Sequence, residues 1–169
     1  MLAAKHRKHI YNLYGFVRFA DEIVDSFHNF DKKDLLKRFE EDLRHALDSK
    51  ISLNPILNSF QYTVNQNNIH QELIDAFLKS MNMDLHKQKY NSKEEYQEYI
   101  YGSADVVGLM CLNVFLEGDN DGYKQLKPQA MALGSAFQKV NFLRDLNADF
   151  EELDRTYFPN LDLSNFNEN

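Results

Sequence analysis

The sequence contains no tryptophan, one cysteine, three prolines and six glycines in 169 residues. A single cysteine excludes an intramolecular disulfide framework, and Cys111, set in the apolar run VVGLMCLNVF, reads as a buried thiol suited to the reducing cytosol. So little proline and glycine excludes collagen-like and low-complexity chains. Long apolar runs are also missing: the longest, Val106 to Leu116, is broken by Gly108 and Asn113 and falls short of the roughly 18 residues of a membrane span. The opening MLAAKHRKHIYNLYG has neither the apolar core nor the cleavage site of a secretory signal. The expectation is a cytoplasmic protein whose membrane contact, where it occurs, is peripheral and at the inner membrane. With 19 basic against 26 acidic residues the formal net charge is −7, so no basic field invites nucleic acid. H-E-x-x-H, G-x-S-x-G and a phosphate-binding glycine loop are absent too, which leaves zinc hydrolase, serine hydrolase and P-loop chemistry without support.

What is present is helical periodicity. A composition of 43% hydrophobic and 27% charged residues fits one folded domain, and no run alternates in the manner of a strand, so the reading is all-α. Helices are expected from about Lys5 to Ser26, from the Asp31–Asp34 region with Leu35, Leu36, Phe39, Leu43, Ala46 and Leu47 inward, and from Pro55 through Val64. A fourth carries the stripe Leu73, Ile74, Phe77, Leu78 and Met81, a fifth starts at Ser92 with a capping box to Glu95, and the last runs from about Pro128 to Asp154. The fifth is apolar on every side after Ala104 and must be central. Between Glu117 and Gly122 acids fall at calcium-loop positions one, three and five, but the twelfth position is Pro128, where that loop needs a bidentate acid; a turn is the reading.

Two stretches carry candidate chemistry. In YGFVRFADEIVD, Tyr14, Arg18, Asp21 and Asp25 stand at i, i+4, i+7 and i+11, one stripe of a helix. A solvated face with a modest Arg18–Asp21 ion pair would explain this much. In QKVNFLRDLNAD, Gln138, Asn141, Asp145 and Asp149 form a similar stripe on a helix otherwise rich in apolar residues, with Arg144 beside it, which a solvent face explains less well. Were the two helices to face each other, four aspartates and an amide oxygen would line one cleft. Hard divalent cations relieve such repulsion, Mg²⁺ first and Mn²⁺ as the alternative, and Mg²⁺ commonly bridges carboxylates to substrate phosphates. Arg18 and Arg144 beside those aspartates call for an anion, and a diphosphate satisfies both. A competing di-iron reading rests on Asp25-x-x-His28 and Asp42-x-x-His45, but those bundles use Glu-x-x-His, which does not occur. Between the stripes, Tyr101, Gly102, Ser103, Ala104 and Gly108, with Val106, Val107, Leu109 and Met110, form either the wall of a long apolar pocket or a core helix whose glycines permit close packing. Asp105 in that setting must reach the cleft or find a partner.

These residues resemble the squalene/phytoene synthase family, the head-to-head prenyl synthases. The resemblance runs through Y-x-x-x-R-x-x-D-E-x-x-D at Tyr14–Asp25, YIYGSADVVGLM and GSAFQKVNFLRDLNADFEELDRTYFP, and covers essentially the whole chain. It implies an isoprenoid synthase fold in which Asp21, Asp25, Asp145 and Asp149, assisted by Asn141, hold Mg²⁺ against prenyl diphosphate substrates. Arg18 and Arg144 would contact diphosphate; Tyr14, Tyr101 and Gln138 would lie near the reacting carbons, with Val106, Gly108 and Leu109 in the pocket wall. The implied reaction joins two prenyl diphosphates through a cyclopropyl intermediate, and resemblance to bacterial carotenoid enzymes favours phytoene from two geranylgeranyl diphosphates. The alternatives are squalene or dehydrosqualene synthesis from farnesyl diphosphate, and a noncatalytic paralogue acting as an interaction module. Ser103-Ala104-Asp105 departs from the Val-Ala-Gly step frequent in the family. Family domains also extend beyond both ends of residues 1–169, so the expectation is a single but incomplete domain, lacking an N-terminal segment and closing C-terminal helices.

Overall fold

The computed structural model describes residues 2–87, 90 and 92–153, with side chains to residue 144. Among the described residues there is no strand. The order is α1 (Ala4–Asp25), α2 (Lys32–Ser49), α3 (Pro55–Asn67), α4 (Gln71–Asp84), α5 (Lys93–Ile100), a π-helical segment (Tyr101–Asp105), α6 (Val106–Leu116) and α7 (Asn120–Leu153). The all-α expectation holds.

Most helix boundaries have local causes. Asp31 accepts from the Asp34 N–H at 3.0 Å to open α2, Asn54 accepts from Ile56 at 3.0 Å with Pro55 in the first turn of α3, and Ser92 accepts from Glu95 at 3.1 Å to open α5. Lys50, Asn68 and Glu117 end α2, α3 and α6 in the left-handed region. The start of α7 differs from expectation. The Asp119 carboxylate accepts from the N–H groups of Asp121 and Gly122 at 3.2 and 3.0 Å, so the helix begins at Asn120 and runs through Pro128. Tyr123, packed on the core, holds that first turn, and Asp119 serves as a helix cap rather than as a calcium ligand.

The core is knotted by aromatic rings, one from each of the first four helices. Phe16 of α1 stacks on Phe60 of α3 at 3.8 Å between centroids and touches Phe39 of α2 at 5.6 Å and Phe77 of α4 at 5.4 Å. Val106, Leu109 and Met110 of α6 join this cluster with no exposed surface. The run Lys93–Leu116, taken through the π segment, is 24 residues long with a window of mean hydropathy 1.5, longer than the sequence reading allowed and enough by length and composition to cross a membrane. Here it is the central helix, and 56% of that window is buried in the fold.

On the other face of α6, backbone meets backbone. A Cβ on Gly134 would lie 2.7 Å from the Ala104 carbonyl oxygen, and one on Gly108 would lie 2.9 Å from the Ala130 oxygen. These two contacts set α6 and α7 antiparallel. Gly134→Ala is therefore expected to destabilise the protein by about 1–3 kcal/mol, despite alanine's better helix propensity. Urea unfolding measures this, and an unchanged midpoint would show that the helices are not held this closely.

Candidate functional site

The acidic half of α1 is organised by two basic residues. Arg18 donates through Nη1 to Asp21 at 2.6 Å and through Nη2 to Glu22, so the expected pair is a three-residue network. At the helix end, Lys32 Nζ donates to the carbonyls of Val24 and Asp25 at 2.9 and 3.1 Å, which satisfies acceptors that the last turn leaves open. Burial, and then the neighbouring Asp25 carboxylate, raise the Asp21 pKa from its ordinary 3.8 to about 6, with Arg18 opposing. This carboxylate has more negative charge and less water than it tolerates well.

Val17, three residues after Tyr14 and four before Asp21, shows which way the stripe faces. It lines a cavity of about 570 Å³ whose other walls come from the π segment, α6 and α7. Ser103, Ala104, Val107, Gly108 and Cys111 form one wall, and Ala130, Leu133, Gly134, Phe137 and Gln138 another. Ser103 Oγ is buried with no hydrogen-bond partner among the described residues. It offers a bond to whatever polar group enters.

Helix directions supply the rest of the geometry. His6 meets Phe115 edge-on at 5.7 Å and Lys5 pairs with Glu117 at 2.6 Å, so the start of α1 lies at the end of α6. Eleven residues later Val17 shares the cavity with Ser103 and Ala104, at the beginning of that helical run. Thus α1, like α7, runs antiparallel to α6, and α1 and α7 run the same way. Their polar halves leave the cavity at the same end: Arg18, Asp21 and Asp25 beyond Val17, and Asn141 and Arg144 beyond Gln138. The helical backbone of α7 carries positions 145 and 149 further in that direction, while the side chains of Asp145 and Asp149 lie outside the described residues. No three acidic, histidine or cysteine side chains converge as a ready metal site among the described residues, and α1 carries two of the five expected donors, Asp21 and Asp25.

Other expected site residues are placed as follows. Gly108 and Gln138 line the cavity, Asn141 is half-buried, and Tyr14 and Arg144 are exposed. Val106 and Leu109 do not form its wall: they turn into the core, and Val107, Gly108, Cys111 and Leu112 take that role. Tyr101 is likewise not in this cavity but in a separate depression of about 710 Å³ with Asp105, Ser135 and Lys139. There Asp105 has its partner: Ser135 Oγ donates to it at 2.7 Å, so the carboxylate is held inside the α6–α7 seam. Burial pushes its pKa up, with Ser135 and Lys139 opposing. Val17, Glu22 and Phe115 went unpredicted. Val17 shares the stripe of Tyr14 and Asp21, and an apolar residue inside a polar stripe is the signal that would have found it.

Comparisons with known proteins bear on this arrangement. The squalene/phytoene synthase family model matches residues 1–168. The hydroxysqualene synthase of Zymomonas mobilis is 27% identical over 161 residues, covering 94% of this chain and 52% of the relative. A phytoene synthase of Arthrospira platensis is 29% identical over 171 residues, covering 95% and 55%. The crystal structure of squalene synthase HpnC from Alicyclobacillus acidocaldarius superposes with a TM-score of 0.81 at 28% identity, covering 96% of this chain and 59% of that one. The chain spans about half the length of the curated relatives it matches.

Proposed function

This chain belongs to the squalene/phytoene synthase family, and from that premise we propose that it contributes the diphosphate-binding and prenyl-binding core of a transferase that joins two prenyl diphosphates head to head. One observation carries the reading: two parallel helices bring their acidic, arginine-bearing halves to the same end of one apolar cavity. An apolar cleft with a charged end suits a hydrocarbon attached to a diphosphate.

Asp21 and Asp25, with Asn141, Asp145 and Asp149, would hold Mg²⁺. The fit is supported by the raised Asp21 pKa, which marks a partly buried carboxylate held close to a second one. When bound, the metal supplies Lewis-acid assistance to diphosphate departure. Arg18 exchanges its bonds to Asp21 and Glu22 for the incoming diphosphate, with Arg144 beside it on α7. Val107, Cys111, Leu133 and Phe137 hold the hydrocarbon and keep water from the reacting carbons, while Ser103 and Gln138 offer polar contacts near the mouth.

The finer reading favoured by sequence resemblance is phytoene formation from two C20 diphosphates in carotenoid biosynthesis. A second, squalene or dehydrosqualene formation from C15 diphosphates, is favoured by the similarity to a hydroxysqualene synthase and to squalene synthase HpnC. Incubation with Mg²⁺ and labelled C15 and C20 diphosphates tests both. The expected result is a product with twice the carbon count of one substrate, formed only with the metal. A chain showing neither such product nor Mg²⁺-dependent binding of either diphosphate would sink the proposal.

A further inference from the structure

The helix that carries Asp21 and Asp25 is poorly built to end where it does. Its last two turns hold Asp21, Glu22 and Asp25 and no basic residue, although a carboxylate is badly placed beside the carbonyl oxygens that a last turn leaves open. The left-handed residue that closes α2, α3 and α6 is missing as well: Ser26 stays in the right-handed region, and its N–H closes only on the Glu22 carbonyl at 2.9 Å. The first turn of α2 breaks the opposite preference, since Lys32 and Lys33 head a helix whose open N–H groups favour anions. The fold brings these two local mismatches together, and each settles the other.

Lys32 Nζ donates to the Val24 and Asp25 carbonyls at 2.9 and 3.1 Å and lies 3.3 Å from His28 Nδ1. These acceptors take up the three hydrogens of an ammonium group, so Lys32 is committed to the end of α1 rather than free to pair with a ligand. Its own place is fixed by α2: Asp31 caps that helix by accepting from the Asp34 N–H at 3.0 Å, and Leu36 and Phe39 anchor it in the core. Asp21 and Asp25 are i, i+4 neighbours only while the last turn of α1 stays helical. We propose that Lys32 is a positioning residue for the acidic end of α1, holding its last turn closed so that both carboxylates can reach one cation. Without it the Val24 and Asp25 carbonyls turn to water and the helix unwinds from its end. Asp25 then leaves Asp21 to act alone.

This inference rests on the prenyl diphosphate reading above, and its test separates the two. Equilibrium binding of farnesyl thiodiphosphate with Mg²⁺, and of farnesol, is measured for the wild-type chain, Lys32→Met and Lys32→Arg. Farnesol needs the apolar cavity but no cation, so it reports on the fold around the cavity alone. Lys32→Met, which keeps the stem and loses the charge, is expected to weaken Mg²⁺-dependent thiodiphosphate binding by ~10- to ~100-fold while farnesol affinity stays within about twofold. Lys32→Arg can still donate to both carbonyls and is expected to recover most of that loss. Hydrogen exchange at the Asp25 and Ser26 amides is expected to quicken at least ~10-fold in Lys32→Met, with the Phe16 amide of the same helix unchanged. Unchanged thiodiphosphate affinity in Lys32→Met, equal losses for both ligands, or a loss without faster exchange at Asp25 and Ser26 overturns the positioning role alone. Failure of the wild type to bind the thiodiphosphate overturns the prenyl diphosphate reading and this role with it.

Discussion

Asp21→Asn is expected to weaken Mg²⁺-dependent binding of a prenyl diphosphate by at least ~100-fold, because one oxygen donor of full charge becomes a neutral amide at the mouth of the cavity. The same substitution is expected to stabilise the protein when no ligand is bound. Burial and Asp25 raise the Asp21 pKa from 3.8 to about 6, so the folded state holds this proton more tightly than the unfolded chain. The group therefore favours folding below about pH 4, and that contribution is lost as pH rises through about 6. At neutral pH the wild type carries the full cost of ionisation. Asparagine removes it, for a gain of about 1 kcal/mol after discounting a side chain roughly one-third exposed to solvent screening. Calorimetric titration and thermal unfolding of one protein pair test both halves. Undiminished Mg²⁺-dependent binding would remove Asp21 from the site, and a lower melting temperature would show that the Arg18 pair outweighs the repulsion.

Phe16→Ala is expected to cost about 3–5 kcal/mol, a large part of the 5–15 kcal/mol typical of a whole domain. Phe16 has no exposed surface and touches a ring from each of α2, α3 and α4, so its loss opens a cavity that four helices must share. Collapse of any one helix into the void would pull it from two others. Urea denaturation should show the fall. A loss under 1.5 kcal/mol, the range of conservative core swaps, would mean that the ring cluster is not the centre of the fold.

Much of this was legible in the sequence, because helical periodicity and side-chain caps act locally. The α1 stripe, the Ser92 cap and the inward sets of α2 and α4 follow from spacing alone. Asp119 and Pro128 show where local reading fails: proline is a helix-start signal, yet a cap nine residues earlier and the packing of Tyr123 carry the helix through it. Val106 and Leu109 fail differently. An all-apolar helix has no stripe, so the sequence could not say which face meets the core and which the cavity, and the π segment before it shifts the phase that a uniform helix would keep. Asp105 was legible as a problem but not as a solution, since its partner Ser135 is thirty residues away in sequence. The shared direction of α1 and α7 follows from antiparallel packing of both helices against α6, a tertiary fact with no local signal.

The direction of α1 also has an electrostatic consequence. A helix carries partial negative charge at its C-terminal end, and Asp21 and Asp25 occupy the last turns of α1. The α1 macrodipole thus adds to the two carboxylates instead of opposing them, and Lys32 on the Val24 and Asp25 carbonyls offsets part of it. An anionic ligand approaching the mouth meets repulsion until counter-charge is in place. On the proposed diphosphate reading, cations are expected to arrive before the anion or together with it.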